Sequence, residues 1–216
     1  MLDNKPIAVH MYEPMRLTRE VVGAPVTTRN GVVVGRVYDV YIRGSKVIGI
    51  MVGPEAVHFH DVINVMKAHK TIPHIIRKAR RIDHKKFISW KDVRKIKNCT
   101  FVLERDNKKK VRYSKPKGIS LIKRVLDEQV ADKANRYIGR VDEVQLVYVY
   151  GERNLEVVGF YSGASAMLTR IGLKTSVKNM SRVFKIKFGE DIIPWNLVKK
   201  ISKEPPTRVI LKIRVK

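Results

Sequence analysis

The sequence has only one cysteine, Cys99, among 216 residues. A single thiol permits no internal disulfide, so we expect a protein of the reducing cytoplasm. The sequence also lacks an apolar run of about 18 residues, which a membrane-spanning helix needs. Residues 1–14 lack the apolar core of a secretion signal. These absences predict a cytoplasmic protein without a membrane partner.

Acidic residues are scarce as well. The chain has 20 Asp and Glu against 45 Lys and Arg, and its net charge is +25. Residues 1–113 carry 24 basic and 10 acidic residues, and residues 114–216 carry 21 and 10, so both halves are basic. Such a surplus repels itself unless nucleic acid, an anionic membrane face or an acidic protein neutralises it. A basic surplus of this size favours nucleic acid.

Signatures of catalysis are also missing. No P-loop, dinucleotide fingerprint or Cys-x-x-Cys motif is present. His58, His60, His69 and His74 are close in sequence, but no cysteine lies near them and the basic field repels a cation, so we expect no metal. Basic sequence neighbours would lower the pKa of Cys99, but no His–Asp pair accompanies it, so we expect an inert thiol. The sequence predicts no enzyme, no cofactor and no small-molecule substrate.

Several carboxylates lie beside arginines on predicted strands. Asp39 follows Arg36, while Asp142 and Glu143 follow Arg140. Two carboxylates that lie close together can perform acid–base chemistry, but a neighbouring arginine is the usual partner of a carboxylate on a strand. We therefore expect ion pairs at these positions.

The chain contains an internal repeat. The hexapeptide GRVYDV at 35–40 recurs as GRVDEV at 139–144, which is 104 positions later. The segment ISWKDVRKI at 88–96 recurs as IPWNLVKKI at 193–201, which is 105 positions later. Blocks in the same order at nearly one offset predict two copies of a unit of about 90 residues. Trp90 and Trp195 fall at equivalent positions, so we expect both to pack in a core.

Each unit has the pattern of a small β structure. Asn30-Gly31 is a strong hairpin signal, and short strands with closely spaced turns are typical of a small antiparallel barrel. The predicted fold is mainly β, with two tandem small antiparallel β-barrels that each carry a short helical insertion. We expect an N-terminal extension at 1–15, a first barrel at 16–105 with a basic insertion at 61–82, a basic linker at 106–119 and a second barrel at 120–216. The second insertion is expected at 164–171.

Several motifs resemble the PRC-barrel family. They are VGAPV at 22–26, VGRVYDV at 34–40, VIGI at 47–50 and ISWKDV at 88–93. The family includes a domain of the reaction-centre H subunit and the C-terminal domain of the ribosome-maturation factor RimM. Residues 120–213 resemble it a second time, and look similar to units associated with MgtE-type magnesium transporters. The resemblance implies tandem barrels that act as adaptors without catalytic residues.

Two basic clusters are the candidate RNA-binding residues. Phosphate contacts of this kind provide affinity without base specificity. Val111 and Tyr113 are isolated within the second cluster, which predicts an exposed linker with a tyrosine available for stacking. The first cluster comprises Lys67, Lys70, Arg77, Lys78, Arg80, Arg81, Lys85 and Lys86, and the second comprises Lys108, Lys109, Lys110, Arg112, Lys115, Lys117, Lys123 and Arg124.

The sequence leaves three hypotheses for function. The favoured one is an RNA-binding structural protein of an archaeal ribosome, with the small subunit as one candidate location, whose partners are ribosomal RNA and neighbouring ribosomal proteins. Structured RNA is favoured over duplex DNA because no helix-turn-helix or zinc finger is visible. The alternative is a PRC-barrel adaptor that binds an acidic protein of cell division or of a transporter. An RNA-processing enzyme is the weakest hypothesis.

Overall fold

The computed structural model describes residues 12–53, 86–162, 192–202 and 207–214. The predicted insertions at 61–82 and 164–171 lie outside these residues. We refer to residues 12–105 as the first half and to residues 119–214 as the second half.

Most buried side chains on the strands of the first half are apolar, and they face the core. A single π-helical turn, Leu17–Val21, follows the first strand, and a 3-10 turn, Trp90–Asp92, follows the fifth. The strands are β1 (Tyr12–Arg16), β2 (Pro25–Thr27), β3 (Val33–Arg43), β4 (Lys46–Gly53), β5 (Lys86–Ser89), β6 (Val93–Lys97) and β7 (Thr100–Leu103).

The second half repeats this order of elements. A short helix, α1 (Leu121–Arg124), follows its first strand, and a 3-10 turn, Trp195–Leu197, follows its fifth. The strands are β8 (Ile119–Ser120), β9 (Gln129–Ala131), β10 (Tyr137–Val149), β11 (Asn154–Ser162), β12 (Ile192–Pro194), β13 (Val198–Ile201) and β14 (Arg208–Leu211).

The two halves have the same strand pairing. In the first half, β2, β3, β4 and β5 pair antiparallel in succession, β2 pairs parallel with β7, and β7 pairs antiparallel with β6. In the second half, β9, β10, β11 and β12 pair antiparallel, β9 pairs parallel with β14, and β14 pairs antiparallel with β13. The repeated sequence blocks therefore occupy equivalent strands.

The mainly β prediction is confirmed, but two separate closed barrels are not found. In the described residues, all fourteen strands belong to one sheet, whose path runs from β13 to β6. The halves join where Lys46 of β4 pairs with Glu156 of β11. The halves are also connected because the first strand of each half pairs with a strand of the other half. β1 pairs along its whole length with β10, and β8 pairs with β3.

The two halves also share a hydrophobic core. One cluster of buried side chains contains Leu17 and Ile42 of the first half together with Leu121 and Leu146 of the second, and all four are 0% exposed. Complete burial of such a side chain stabilises the fold by roughly 1.5–3 kcal/mol. The halves are therefore expected to depend on each other for their stability.

Both tryptophans pack against this core at equivalent places, as predicted. Trp90 contacts Phe101 edge-on, and Trp195 contacts Phe160 in the same way. Each indole N–H then reaches the other half. Trp90 Nε1 donates to the carbonyl of Arg153 at 2.8 Å, and Trp195 Nε1 donates to the carbonyl of Gly44 at 3.2 Å.

These two carbonyls lie in equivalent places. Gly44 is in the β3–β4 turn, and Arg153 is in the β10–β11 turn. The contacts made by the tryptophans are therefore reciprocal, like those of the exchanged first strands.

Close strand approach explains a glycine in each half. A Cβ atom on Gly49 of β4 would lie 2.5 Å from the carbonyl oxygen of Ile88, and one on Gly159 of β11 would lie 2.6 Å from that of Ile193. Both distances are shorter than real Cβ contacts. Glycine at these positions lets β5 and β12 lie against their neighbours.

Candidate nucleic-acid interface

The predicted linker is attached to β5 on the edge opposite β4. Ser114 N donates to the carbonyl of Phe87 at 3.0 Å, and the two residues form an isolated antiparallel bridge. Val111 is 7% exposed and belongs to the core cluster. The expectation that Val111 is an isolated residue in an exposed linker is therefore wrong, because its side chain attaches the segment to the core.

The basic residues around this anchor are exposed to solvent. None of them has a described carboxylate within ion-pair distance, since the ion pairs found in the described residues involve Arg29, Arg136 and Arg153. We call these basic residues the linker strip. They are Lys86, Lys108, Lys109, Arg112, Lys115 and Lys117.

Tyr113, the residue after Arg112, contacts one lysine of the linker strip. The ammonium group of Lys86 lies 4.4 Å from the centre of the Tyr113 ring, within the range of a cation–π contact. Tyr113 is 38% exposed, and burial raises the pKa of its hydroxyl. Continuing the antiparallel register from the Phe87–Ser114 bridge places Lys115 opposite Lys86. β5 and the linker thus present their cations together.

The first basic cluster is connected to the same place. Lys86, the described residue of that cluster, pairs with Val52 across β5 and β4 and belongs to the linker strip. Most candidate residues of that cluster, and the side chain of Lys110, lie outside the described residues. Those candidates are Lys67, Lys70, Arg77, Lys78, Arg80, Arg81 and Lys85.

Two further candidate RNA-binding residues, Lys123 and Arg124, lie on α1. Lys123 acts on a residue of the first half, and Arg124 contacts a residue of the second half. Lys123 is exposed, and its charge acts on the carboxylate of Asp39. Arg124 is partly buried and donates from Nη1 to the hydroxyl of Thr207 at 3.4 Å. We therefore leave these two residues out of the linker strip.

Asp39 is a buried carboxylate that connects the two halves. It is 1% exposed. Its Oδ1 accepts hydrogen bonds from the backbone N–H groups of Val40 at 2.7 Å and Ile122 at 3.1 Å, and the Ser120 hydroxyl donates to Oδ2. Burial raises the pKa of Asp39 to about 6, although these hydrogen bonds and the charge of Lys123 act in the opposite direction. The side chain thus holds the start of α1 in the other half.

Glu143 makes the equivalent contacts in the reverse direction. Its Oε1 accepts hydrogen bonds from the backbone N–H groups of Val144 at 2.9 Å and Thr18 at 3.0 Å, and the Thr18 hydroxyl donates to Oε2. Thr18 lies in the π-helical turn of the first half. We call Asp39 and Glu143 the paired carboxylates, because each holds the first helical turn of the opposite half.

The predicted ion pairs between these carboxylates and nearby arginines are wrong. The guanidinium group of Arg36 donates from Nη1 to the carbonyl of Gly23 at 2.9 Å, and Arg140 is exposed on β10. Sequence neighbours did not reveal the true partners, because those belong to the opposite half of the chain. The paired carboxylates therefore have a structural role.

Cys99 lies in the β6–β7 turn with a φ of 53°. Burial and the nearby charges of Glu20 and Glu13 raise its pKa, so the expected lowering by basic neighbours is wrong. In the part of the chain that the structure describes, no group of three or more His, Cys, Asp or Glu is arranged to hold a metal ion. The histidines at 58, 60, 69 and 74 lie outside that part.

Sequence reasoning missed two further sets of cations. β6 and β13 are the end strands of the sheet path, and a register shift interrupts both at equivalent places. A bulge together with lysine is a common way to stop an edge strand from pairing with another molecule. The repeat itself contained this signal, since VRKIK of β6 matches VKKI of β13. The cations are Arg94, Lys95 and Lys97 on β6, and Lys199 and Lys200 on β13.

The comparisons with known proteins do not identify a family. No protein-family model matches this chain, and no curated protein matches it. The resemblance to PRC-barrels therefore stays a prediction. Among the described residues, none of the helices has the length and apolar character needed to cross a membrane.

Proposed function

We propose that this chain is an RNA-binding structural protein whose linker strip contacts phosphates. The observation that supports the proposal is the linker strip itself. Its exposed cations have no described carboxylate beside them, and the segment that carries them is attached to the sheet by Val111 and by the Ser114–Phe87 hydrogen bond. Cations that are already held in place lose less conformational entropy when they meet a phosphate.

The distribution of positive charge favours ribosomal RNA in the cytoplasm as the partner. Both halves carry a basic surplus, and the described cations occupy the linker strip and both edge strands. An acidic protein would need one complementary patch, whereas a large RNA can meet cations on several faces. We therefore propose a ribosomal or ribosome-associated protein that binds RNA and catalyses no reaction.

We also propose that each half is a PRC-barrel-like unit. The support is the equal order of strand pairing in the halves, together with the glycines at equivalent close approaches, Gly49 and Gly159. In this arrangement the two units exchange their first strands, so they act as one rigid support for the basic surfaces.

A charge-reversal variant of the linker strip tests the RNA proposal. We expect Lys109→Glu, Lys115→Glu and Lys117→Glu together to weaken binding to a structured RNA at least about tenfold at 0.1 M salt. The plot of log K against log salt should become less steep by about 2, since each lost phosphate contact reduces the magnitude of its slope by roughly 0.7–0.9. Binding isotherms measured at several salt concentrations give both quantities.

The matched control reverses three exposed cations elsewhere, Arg19, Arg43 and Lys91. Its net charge equals that of the linker-strip variant, so an effect of overall charge alone would weaken both proteins equally. Equal weakening, or unchanged binding by the linker-strip variant, would contradict the proposal. An acidic peptide that displaces RNA at lower concentration than unlabelled RNA does would support the adaptor alternative instead.

A further inference from the structure

The outer face of the second half's sheet combines an exposed aromatic ring with cations. The strand registers place one row of side chains across four strands, from Lys200 on β13 through Ile210 and Ala131 to Tyr137 on β10. Three strand spacings make this row about 14 Å long. Tyr137 is 63% exposed, more than the other exposed large hydrophobic residues of the described chain.

A second row on the same face supplies two arginines. Arg208 of β14, Gln129 of β9 and Arg140 of β10 are register partners. Arg208 donates from Nη1 to Asn135 Oδ1 at 2.9 Å, which fixes the guanidinium group. Its buried Nε lacks a hydrogen-bond acceptor among the described residues.

Residues that alternate with these rows face the core. Val209 and Leu211 of β14 and Val130 of β9 are all 0% exposed. A register shift between Tyr137 and Gly139 adds one residue to β10. Because of this bulge, Tyr137 and Arg140 both lie on the outer face although they are three positions apart.

The first half lacks this combination at its equivalent positions. Val33 takes the place of Tyr137, and Thr100 takes the place of Arg208, by the equal pairing of the strands. Arg36, the equivalent of Arg140, donates to the carbonyl of Gly23. Single exposed aromatic residues are common on proteins, but here the ring occurs with three cations in one half only.

We propose that this outer face binds an unpaired nucleotide of RNA, with the base stacked on the ring of Tyr137. Every base has a flat face that stacks on an aromatic ring, and neighbouring cations contact the backbone on either side. An acidic peptide would use the cations but gains nothing comparable from the ring. This inference rests on the proposed function and adds to it a preference for RNA with unpaired bases. The cations are Arg140, Lys200 and Arg208.

The test compares Tyr137→Ala with Val33→Ala, the matched change in the first half. The probes are a single-stranded RNA of about 12 nucleotides and a blunt RNA duplex of equal length. We expect Tyr137→Ala to weaken single-strand binding about tenfold, with duplex binding and the salt slope unchanged because no charge is removed. Val33→Ala should bind both probes as the parent does, and Tyr137→Phe should retain single-strand binding.

The outcomes separate this inference from the proposed function. If the linker-strip variant weakens RNA binding while Tyr137→Ala binds single strands as tightly as the parent, the stacking site is wrong and the RNA proposal stands. An equal loss for both probes, or a loss in Tyr137→Phe as large as in Tyr137→Ala, also overturns stacking. If the parent protein binds the structured RNA but neither probe, the stacking site alone is wrong. If it binds none of the three RNAs, the proposed function fails together with this inference.

Discussion

Replacing Asp39 by asparagine is expected to remove a fall of about 3 kcal/mol in the free energy of unfolding between about pH 3 and pH 7.5. The folded-state pKa of Asp39 is about 6, raised from 3.8 by burial. Below pH 3.8 the carboxyl is protonated in both states. As the pH rises towards 6, the unfolded chain loses the proton first, and above 6 the folded protein bears a buried charge. Each pKa unit corresponds to about 1.4 kcal/mol.

Asparagine stays neutral throughout this range, and its carbonyl oxygen can still accept the hydrogen bonds from Val40 and Ile122. The measurement is urea unfolding of the parent and Asp39→Asn at several values of pH, followed by tryptophan fluorescence. Asp142→Asn, at an exposed carboxylate on β10, controls for the loss of one negative charge. A difference between parent and Asp39→Asn that is constant with pH would contradict the prediction.

The second large effect concerns the association of the halves. We expect that a protease site inserted between Lys108 and Lys109 can be cut without separating the two fragments. β1 pairs with β10 and β8 pairs with β3, so each fragment completes the sheet of the other. The paired carboxylates and the common core add further contacts. Size-exclusion chromatography of the cut protein at about 10 μM should give one species with the mass of the intact chain.

Glu143→Ala in the cut protein tests the source of this association. The substitution leaves the N–H groups of Thr18 and Val144 without their acceptor, and a buried donor without a partner costs roughly 1–3 kcal/mol. The fragments should then dissociate more than about tenfold more readily on dilution. Glu143→Gln keeps an acceptor oxygen and should lose less. Fragments that elute separately without any substitution would show that the exchanged strands do not hold the halves together.

The edge strands give the basic surplus a role besides the phosphate contact proposed above. Lys95 and Lys97 on β6 and Lys200 on β13 lie at the ends of the sheet path. A charge of either sign blocks pairing between edges, whereas only a positive charge attracts phosphate. Charge reversal at these positions therefore separates the two roles, since it retains protection from aggregation and removes any contribution to RNA binding.

Local sequence patterns were enough to predict that the chain is mainly β and that Trp90 and Trp195 pack in equivalent places. Alternation of apolar residues reports which side chains of a strand are buried, and a constant offset reports a repeat. The net charge follows from composition alone and motivates the RNA proposal. None of these patterns identifies the neighbour of a strand, so the expectation of two separate barrels came from the repeat without knowledge of the pairing.

Only the tertiary structure decided how the halves combine and which polar groups meet. Asp39 lies three positions after Arg36 in sequence, yet it accepts a hydrogen bond from the N–H of Ile122, 83 positions away. Val111 stands alone in a basic run, yet it is buried because the linker pairs with the edge of β5 at Phe87. Tyr137 is brought onto one face with Arg140 by a single extra residue in β10. Strand exchange and bulges of this kind depend on contacts between distant segments, and periodicity within one segment carries no information about them.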